Sequence, residues 1–145
     1  MFLFLFLQNM NHKIEKLKNV ITNPQKIVIT THRGPDGDAM GSSLALYNLL
    51  VKLNHEVNVI TPNDYASFLH WLPGNNLVTE YESSRETAEK LVDNADIIFM
   101  LDFNHIYRID GLASNVESSN AFKVLIDHHQ DPQENIADLI FSEPT

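Results

Sequence analysis

Three apolar runs in the chain end in side chains able to hold a metal ion. "IVITTH" closes on His32, with Asp36 and Asp38 just beyond it; "IIFMLD" closes on Asp102; "VLID" closes on Asp127, with His128 and His129 behind it. Each piece alone has a plain structural explanation. Pro-Asp-Gly is a favourable turn, Asp38 is well placed to cap the helix that follows, and a histidine at a strand end is commonly a hydrogen-bonded structural residue. Together they are harder to explain that way. Asp36, Asp38 and Asp102 gathered in a partly dry crevice would repel one another and have raised pKa values unless something positive sat among them. Oxygen donors mixed with imidazole, without sulfur, suit Mn²⁺, Mg²⁺ or another divalent ion better than a structural zinc site. The set is too large for one ion that keeps an open position and about right for two, with Asp102, central in the sheet, as the natural bridge. Two ions about 3.5 to 4 Å apart suit hydrolysis at phosphorus, because they activate water near neutral pH and stabilise charge on the attacking and leaving oxygens.

For these residues to meet, the chain must form a parallel sheet whose carboxyl ends share one edge, where ligands of open α/β sheets usually bind. The pattern predicts this. Ile14, Leu17, Val20 and Ile21 mark one face of a helix starting at Asn11 and stopped by Asn23-Pro24. "KIVITTH" (26–32) reads as a buried strand, "RGPDG" as a turn, and "AMGSSLALYNLLVKL" as an amphipathic helix. "HEVNVIT" (55–61) is a second strand, residues 62–76 a short helix closed by a turn, and "LVTEY" a brief strand. A polar helix over 83–95 precedes "IIFMLD" (97–102), whose unbroken apolar run fits the centre of a parallel sheet. "IYRIDGLASNV" reads as helical to its glycine or beyond, and "FKVLID" (122–127) and "ADLIFSEP" are the last strands. The fold class is therefore α/β, a mostly parallel sheet with helices on both faces.

Composition narrows the function classes. The 145 residues suffice for one ordinary domain, and 43% hydrophobic with 20% charged residues is globular rather than disordered. A formal charge of −9 argues against duplex binding driven by Lys and Arg. With no cysteine, disulfides and thiolate metal sites are excluded and a reducing, cytoplasmic setting is permitted. "MFLFLFLQNM" is too short to span a bilayer and lacks the basic region and cleavage site of a signal peptide, so no membrane association is expected. It reads as an added strand or a dispensable extension over residues 1–10.

"HRGPDGDAMGSSLALY" resembles the first motif of the DHH phosphoesterases, Asp102 their second, and "IDHHQ" the third, which gives the family its name. The resemblance runs in order over residues 27–129. It implies two manganese ions, with Mg²⁺ or Co²⁺ as alternatives: His32, Asp36 and Asp102 would hold one, Asp38, Asp102 and His128 the other. It further implies that His129 faces substrate phosphate, that Asp127 supports the paired histidines, and that Arg108 helps near the phosphate. His105 has a stronger claim to a surface role, Ser42 and Ser43 could donate to a ligand or merely allow close packing, and His12, His55 and His70 are assigned nothing. The "PDGDAMGSSLAL" and "WLPG" segments most resemble the bacterial enzymes that act on very short single-stranded oligonucleotides and on 3′-phosphoadenosine 5′-phosphate. Relatives that cleave cyclic dinucleotides or pApA, and family II pyrophosphatases, share the ligands; a noncatalytic nucleotide-binding module is the reading from another class. Such enzymes are often homodimers. Family members add a fourth motif with another acidic ligand and then a second, often DHHA1-type, substrate domain. Residues 11–145 are thus expected to be a catalytic domain truncated before that motif, with little turnover by itself.

Overall fold

The structure, a computed structural model, describes residues 2–143, with side chains from Gln8 onward. Ten regular elements follow one another: α1 (Phe2–Val20), β1 (Lys26–Thr31), α2 (Gly37–Lys52), β2 (Glu56–Thr61), β3 (Val78–Glu80), α3 (Arg85–Asp93), β4 (Ile97–Leu101), α4 (Ala113–Ser118), β5 (Phe122–Asp127) and β6 (Leu139–Ser142). All six strands are parallel, in the order β3-β2-β1-β4-β5-β6. The chain winds outward in one direction from β1 and in the other from β4. The switch point, where the loops after neighbouring strands diverge and leave a crevice, therefore lies between β1 and β4.

Strand periodicity divides the core. Ile27, Ile29, Val59, Ile97, Phe99 and Val124 face one layer, packed with Met40, Leu44 and Leu50 of α2 and Leu17 and Val20 of α1. Val28, Ile60, Ile98, Met100 and Leu125 face the other, packed with Ala88 and Val92 of α3 and Val116 of α4. β4 is buried along its whole length, as its unbroken apolar run requires of a strand covered on both sides. The α/β architecture read from the sequence is the one observed.

Three local expectations are corrected. Of the two readings of residues 1–10, an added strand or a dispensable extension, the strand is not formed, because α1 begins at Phe2; a helix closes its own backbone hydrogen bonds, whereas a strand needs a sheet edge to receive it. The helix expected within 62–76 is reduced to two short 3₁₀ turns, Ser67–Leu69 and Asn75–Leu77. The helical stretch after Asp102 is a 3₁₀ segment, Ile106–Leu112, broken at Asp110, whose φ is 49°, before α4 begins. Among the described residues no helix is long and apolar enough to cross a membrane.

Candidate metal centre

His32 follows β1 directly, and its ring is locked by the backbone. Nδ1 lies 2.9 Å from the Arg33 carbonyl, which can only accept, so Nδ1 carries the proton and Nε2 is left to face the crevice. Nε2 stands 3.7 Å from Asp102 Oδ2, and both side chains are about 8% exposed. Asp102 ends β4 with φ 63°, a left-handed conformation that aspartate tolerates better than most residues. The strand is broken there, its amide donates across to the Ile126 carbonyl at 3.1 Å, and the carboxylate is held among the three histidines.

The Asp-Gly-Asp segment does two jobs. Asp36, not Asp38, is the N-cap of α2: its Oδ1 accepts from the amides of Asp38 (2.9 Å) and Ala39 (3.1 Å). The sequence misleads because both acids suit a cap and only the backbone's entry angle chooses between them. One oxygen of Asp36 caps the helix while the residue still offers a donor toward His32 and Asp102. Asp38, in the first turn of α2, is exposed, and its Oδ2 lies 3.5 Å from His128 Nε2.

From the far side, His128 Nε2 comes within 3.2 Å of Asp102 Oδ1. His129 Nδ1 lies 3.9 Å from the same oxygen and 2.7 Å from Asp127 Oδ1. Asp127 is buried and also receives the His129 amide at 3.2 Å, so a dry carboxylate grips this histidine by both ring and backbone.

Two groups of three emerge among the described residues, each with possible ligand atoms all within 4.8 Å of one another: His32, Asp36 and Asp102, and Asp102, His128 and His129. Asp102 belongs to both. Asp38 reaches the second group through His128. His129, expected toward phosphate, sits in the second group and points one nitrogen at its support. Neutral imidazole with carboxylate oxygen is a donor set that suits a hard or borderline divalent cation.

Electrostatics at the centre differ from the expected mutual repulsion of acids. The Asp102 carboxylate raises the His32 pKa above its ordinary 6.5, against burial and the positive charge of Arg108, which lower it. Burial pushes Asp102 up, but the hydrogen bond and charge of His32, with the charges of His129 and His128, outweigh it and hold Asp102 below the usual carboxylate range. At Asp102 the neighbouring imidazoles thus outweigh the penalty of burial.

Arg108 is half-buried near this centre, and its carbonyl accepts from the Arg33 amide at 2.7 Å. Ser42 lines a cavity of about 300 Å³ with Asp38, Asp102 and His128, over Leu101, Ile126 and Phe141, while Ser43 is fully buried against the sheet. A cavity of about 370 Å³ lies at the opposite end of the sheet, lined by Lys26, Glu56 and Lys90, away from the convergent ligands. His105 stacks on Tyr107, His55 accepts from the Gln25 amide, and His70 meets Tyr65 edge-on.

Residues that fasten the site went unread in the sequence. Arg33 bridges Glu82 (2.5 Å) and Asp110 (2.7 Å). Asn104 Nδ2 donates to the Gln130 carbonyl at 2.8 Å, while Gln133 donates its amide to the Asn104 carbonyl and accepts the Ile106 amide on its side chain. This reciprocal clamp holds the loop after His129 against the loop after Asp102. The only signal was the polar pair's nearness to the two motifs.

The fold and this shared aspartate coincide with a sequence match to the DHH family, N-terminal domain, over residues 26–145. The chain belongs to the DHH family. It is 38% identical over 103 residues to the bifunctional oligoribonuclease and PAP phosphatase NrnA of Thermus thermophilus, covering 71% of this chain and 28% of that protein. It is 26% identical over 139 residues to the cyclic-di-AMP phosphodiesterase GdpP of Bacillus subtilis, covering 88% of this chain and 20% of that one. A crystal structure of an exopolyphosphatase-related protein from Bacteroides fragilis superposes with a TM-score of 0.89 at 40% identity, over 91% of this chain and 38% of that one. The chain thus spans between a fifth and two fifths of the lengths of these DHH-domain relatives.

Proposed function

We propose that this domain is the metal-binding part of a hydrolase for phosphoesters of small nucleotides, acting on short single-stranded oligonucleotides and on 3′-phosphoadenosine 5′-phosphate. The observation that carries the reading is the sharing of Asp102 by two ligand groups at the β1/β4 switch point. The similarity to an oligoribonuclease and PAP phosphatase supports the choice of substrate class.

Two manganese ions, held by His32, Asp36 and Asp102 on one side and by Asp102, His128 and Asp38 on the other, would supply Lewis acidity to a water and to the phosphoryl oxygens. The chain's own residues do the rest. Asp127 fixes His129 so that its outer nitrogen meets the phosphoryl group and passes a proton to the leaving oxygen as the P–O ester bond breaks. Arg108 offers its guanidinium to the phosphate, and the carbonyl at its backbone ties it to the His32 loop. Burial of Asp102 and His32 keeps bulk water from the carboxylate common to both groups.

The similarity to a cyclic-di-AMP phosphodiesterase favours a second reading, hydrolysis of cyclic dinucleotides or pApA at the same centre. Incubation of the full-length protein that carries this domain with Mn²⁺ and, in parallel, a dinucleotide RNA, 3′-phosphoadenosine 5′-phosphate, cyclic di-AMP and pyrophosphate separates these. Release of mononucleotides from the dinucleotide is expected; cleavage of pyrophosphate alone would overturn the nucleotide reading.

A further inference from the structure

Two of the most exposed large apolar side chains are aromatic neighbours on the loop after β2: Phe68, 72% exposed, and Trp71, 77%. Their loop is held firmly. Leu69, between them, is buried and packs within 4.0 Å of where a Cβ on Gly37 would sit, at the start of α2. Asn63 Oδ1 accepts the Gly34 amide at 2.7 Å, tying the loop to the turn that carries Asp36. Tyr65 Oη donates to Asn75, and Asn48 donates to the Pro73 carbonyl. Gly74, at φ 94°, takes a backbone conformation that other residues rarely adopt, and a Cβ there would meet the Tyr47 ring at 3.2 Å.

Amide-to-carbonyl bonds three residues apart, Leu69 to Ala66 and His70 to Ser67, wind a 3₁₀ turn over Ser67–Leu69, and a bond from Leu72 to Leu69 closes a further turn beyond it. Phe68 sits in the first of these turns and Trp71 in the second, three residues on. The loop leaves the carboxyl end of β2, which pairs with β1, and its Leu69 reaches the start of α2, so this turn lies beside the edge that carries His32. Burying neither ring on a rigid turn leaves apolar surface in water with no compensation inside the fold.

We infer that Phe68 and Trp71 form a stacking platform for a nucleobase of the substrate, one nucleotide away from the phosphate at the metal centre. This rests on the proposed nucleotide hydrolysis and names a subsite for it. The surrounding charge favours stacking over ionic grip: the chain carries −9 overall, and Arg33, the exposed cation of the neighbouring turn, is already taken by Glu82 and Asp110. Every base offers a π-face, so such a platform tolerates sequence and suits a substrate defined by shortness. Exposed Asp64, Ser67 and His70 lie beside the two aromatic residues in the loop, so polar side chains interrupt the apolar surface.

Trp71 is the chain's single tryptophan, so its fluorescence reads the platform directly. In metal-free buffer, a dinucleotide is expected to quench it, whereas inorganic phosphate and a dinucleotide with one abasic ribose at the outer position are not. In Mn²⁺, Trp71→Ala and Phe68→Ala are expected to raise KM for the intact dinucleotide about fivefold or more, the low end of base–aromatic stacking. Neither should change kcat, nor KM for the abasic substrate. Unchanged KM for the intact dinucleotide in both variants would overturn the platform while leaving the hydrolase reading in place. The kinetic comparison uses the full-length protein; if that cleaves no dinucleotide at all, the hydrolase reading fails, and quenching still decides the platform. A concentration-dependent association that Trp71→Ala abolishes, without quenching by dinucleotide, would make the rings a protein contact and overturn the inference.

Discussion

Replacing Asp36 by Asn and by Ala separates the two roles that one carboxylate fills. As N-cap of α2 it accepts two amide hydrogen bonds, at 2.9 and 3.1 Å. Asparagine caps about as well as aspartate, whereas alanine at such a position costs typically about 1 kcal/mol. For a domain of this size that corresponds to a fall in Tm of about 2–4 °C. In metal-free buffer, Asp36→Asn should therefore melt within about a degree of the parent, and Asp36→Ala distinctly lower. Removing a negative charge close to Asp102 works in the same direction for both variants, so the difference between them isolates the cap. Manganese binding should behave otherwise, because a neutral amide is a poor substitute for a carboxylate ligand. Both variants should lose binding at the His32 side, measured by calorimetric titration beside the melting curves. Equal melting temperatures for Asn and Ala would refute the cap assignment, and wild-type manganese affinity in Asp36→Asn would refute the ligand role.

Other consequences are checkable in the same protein. Because Asp102 raises His32 and the histidines lower Asp102, their ion pair stabilises the metal-free fold between the depressed Asp102 pKa and the raised His32 pKa, and is lost above and below that window. A proton NMR titration should place His32 above 6.5, with Asp102→Asn moving it downward; a His32 midpoint at or below 6.5 in the parent contradicts the pairing. Asp127→Ala removes the carboxylate that orients His129 and should lower activity or metal affinity about 10- to 100-fold with little change in Tm beyond the loss of one buried group; unaltered turnover would mean that the grip on His129 is idle. Phe99→Ala, at the buried centre of β4, should cost about 3–5 kcal/mol in denaturant unfolding, and a loss below 1 kcal/mol would show that the core is not packed as described.

What the sequence revealed and what it hid follow from the range of the interactions. The unbroken apolar run of β4 could only be a strand covered on both faces, and three such runs ending in ligands placed His32, Asp102 and His128 at one edge before any geometry was known. The choice of Asp36 over Asp38 as cap depends on one backbone dihedral, and no pattern in Pro-Asp-Gly-Asp encodes it. The extension of α1 back to Phe2 was hidden because alternating Phe and Leu carry no helical period. The Asn104–Gln133 clamp and the Arg33 bridge join residues 26 to 77 positions apart, contacts that exist only once the parallel sheet has brought their loops together. The left-handed Asp102 is of the same kind: it is a property of where β4 must stop.

The centre stands on Asp102 as the residue common to both ligand groups, and manganese titration of the parent and of Asp102→Asn by calorimetry tests this most directly. The parent should bind manganese, and the variant, in which a neutral amide replaces the carboxylate common to both groups, should bind at neither side. Manganese binding to Asp102→Asn with the parent's affinity would contradict the account.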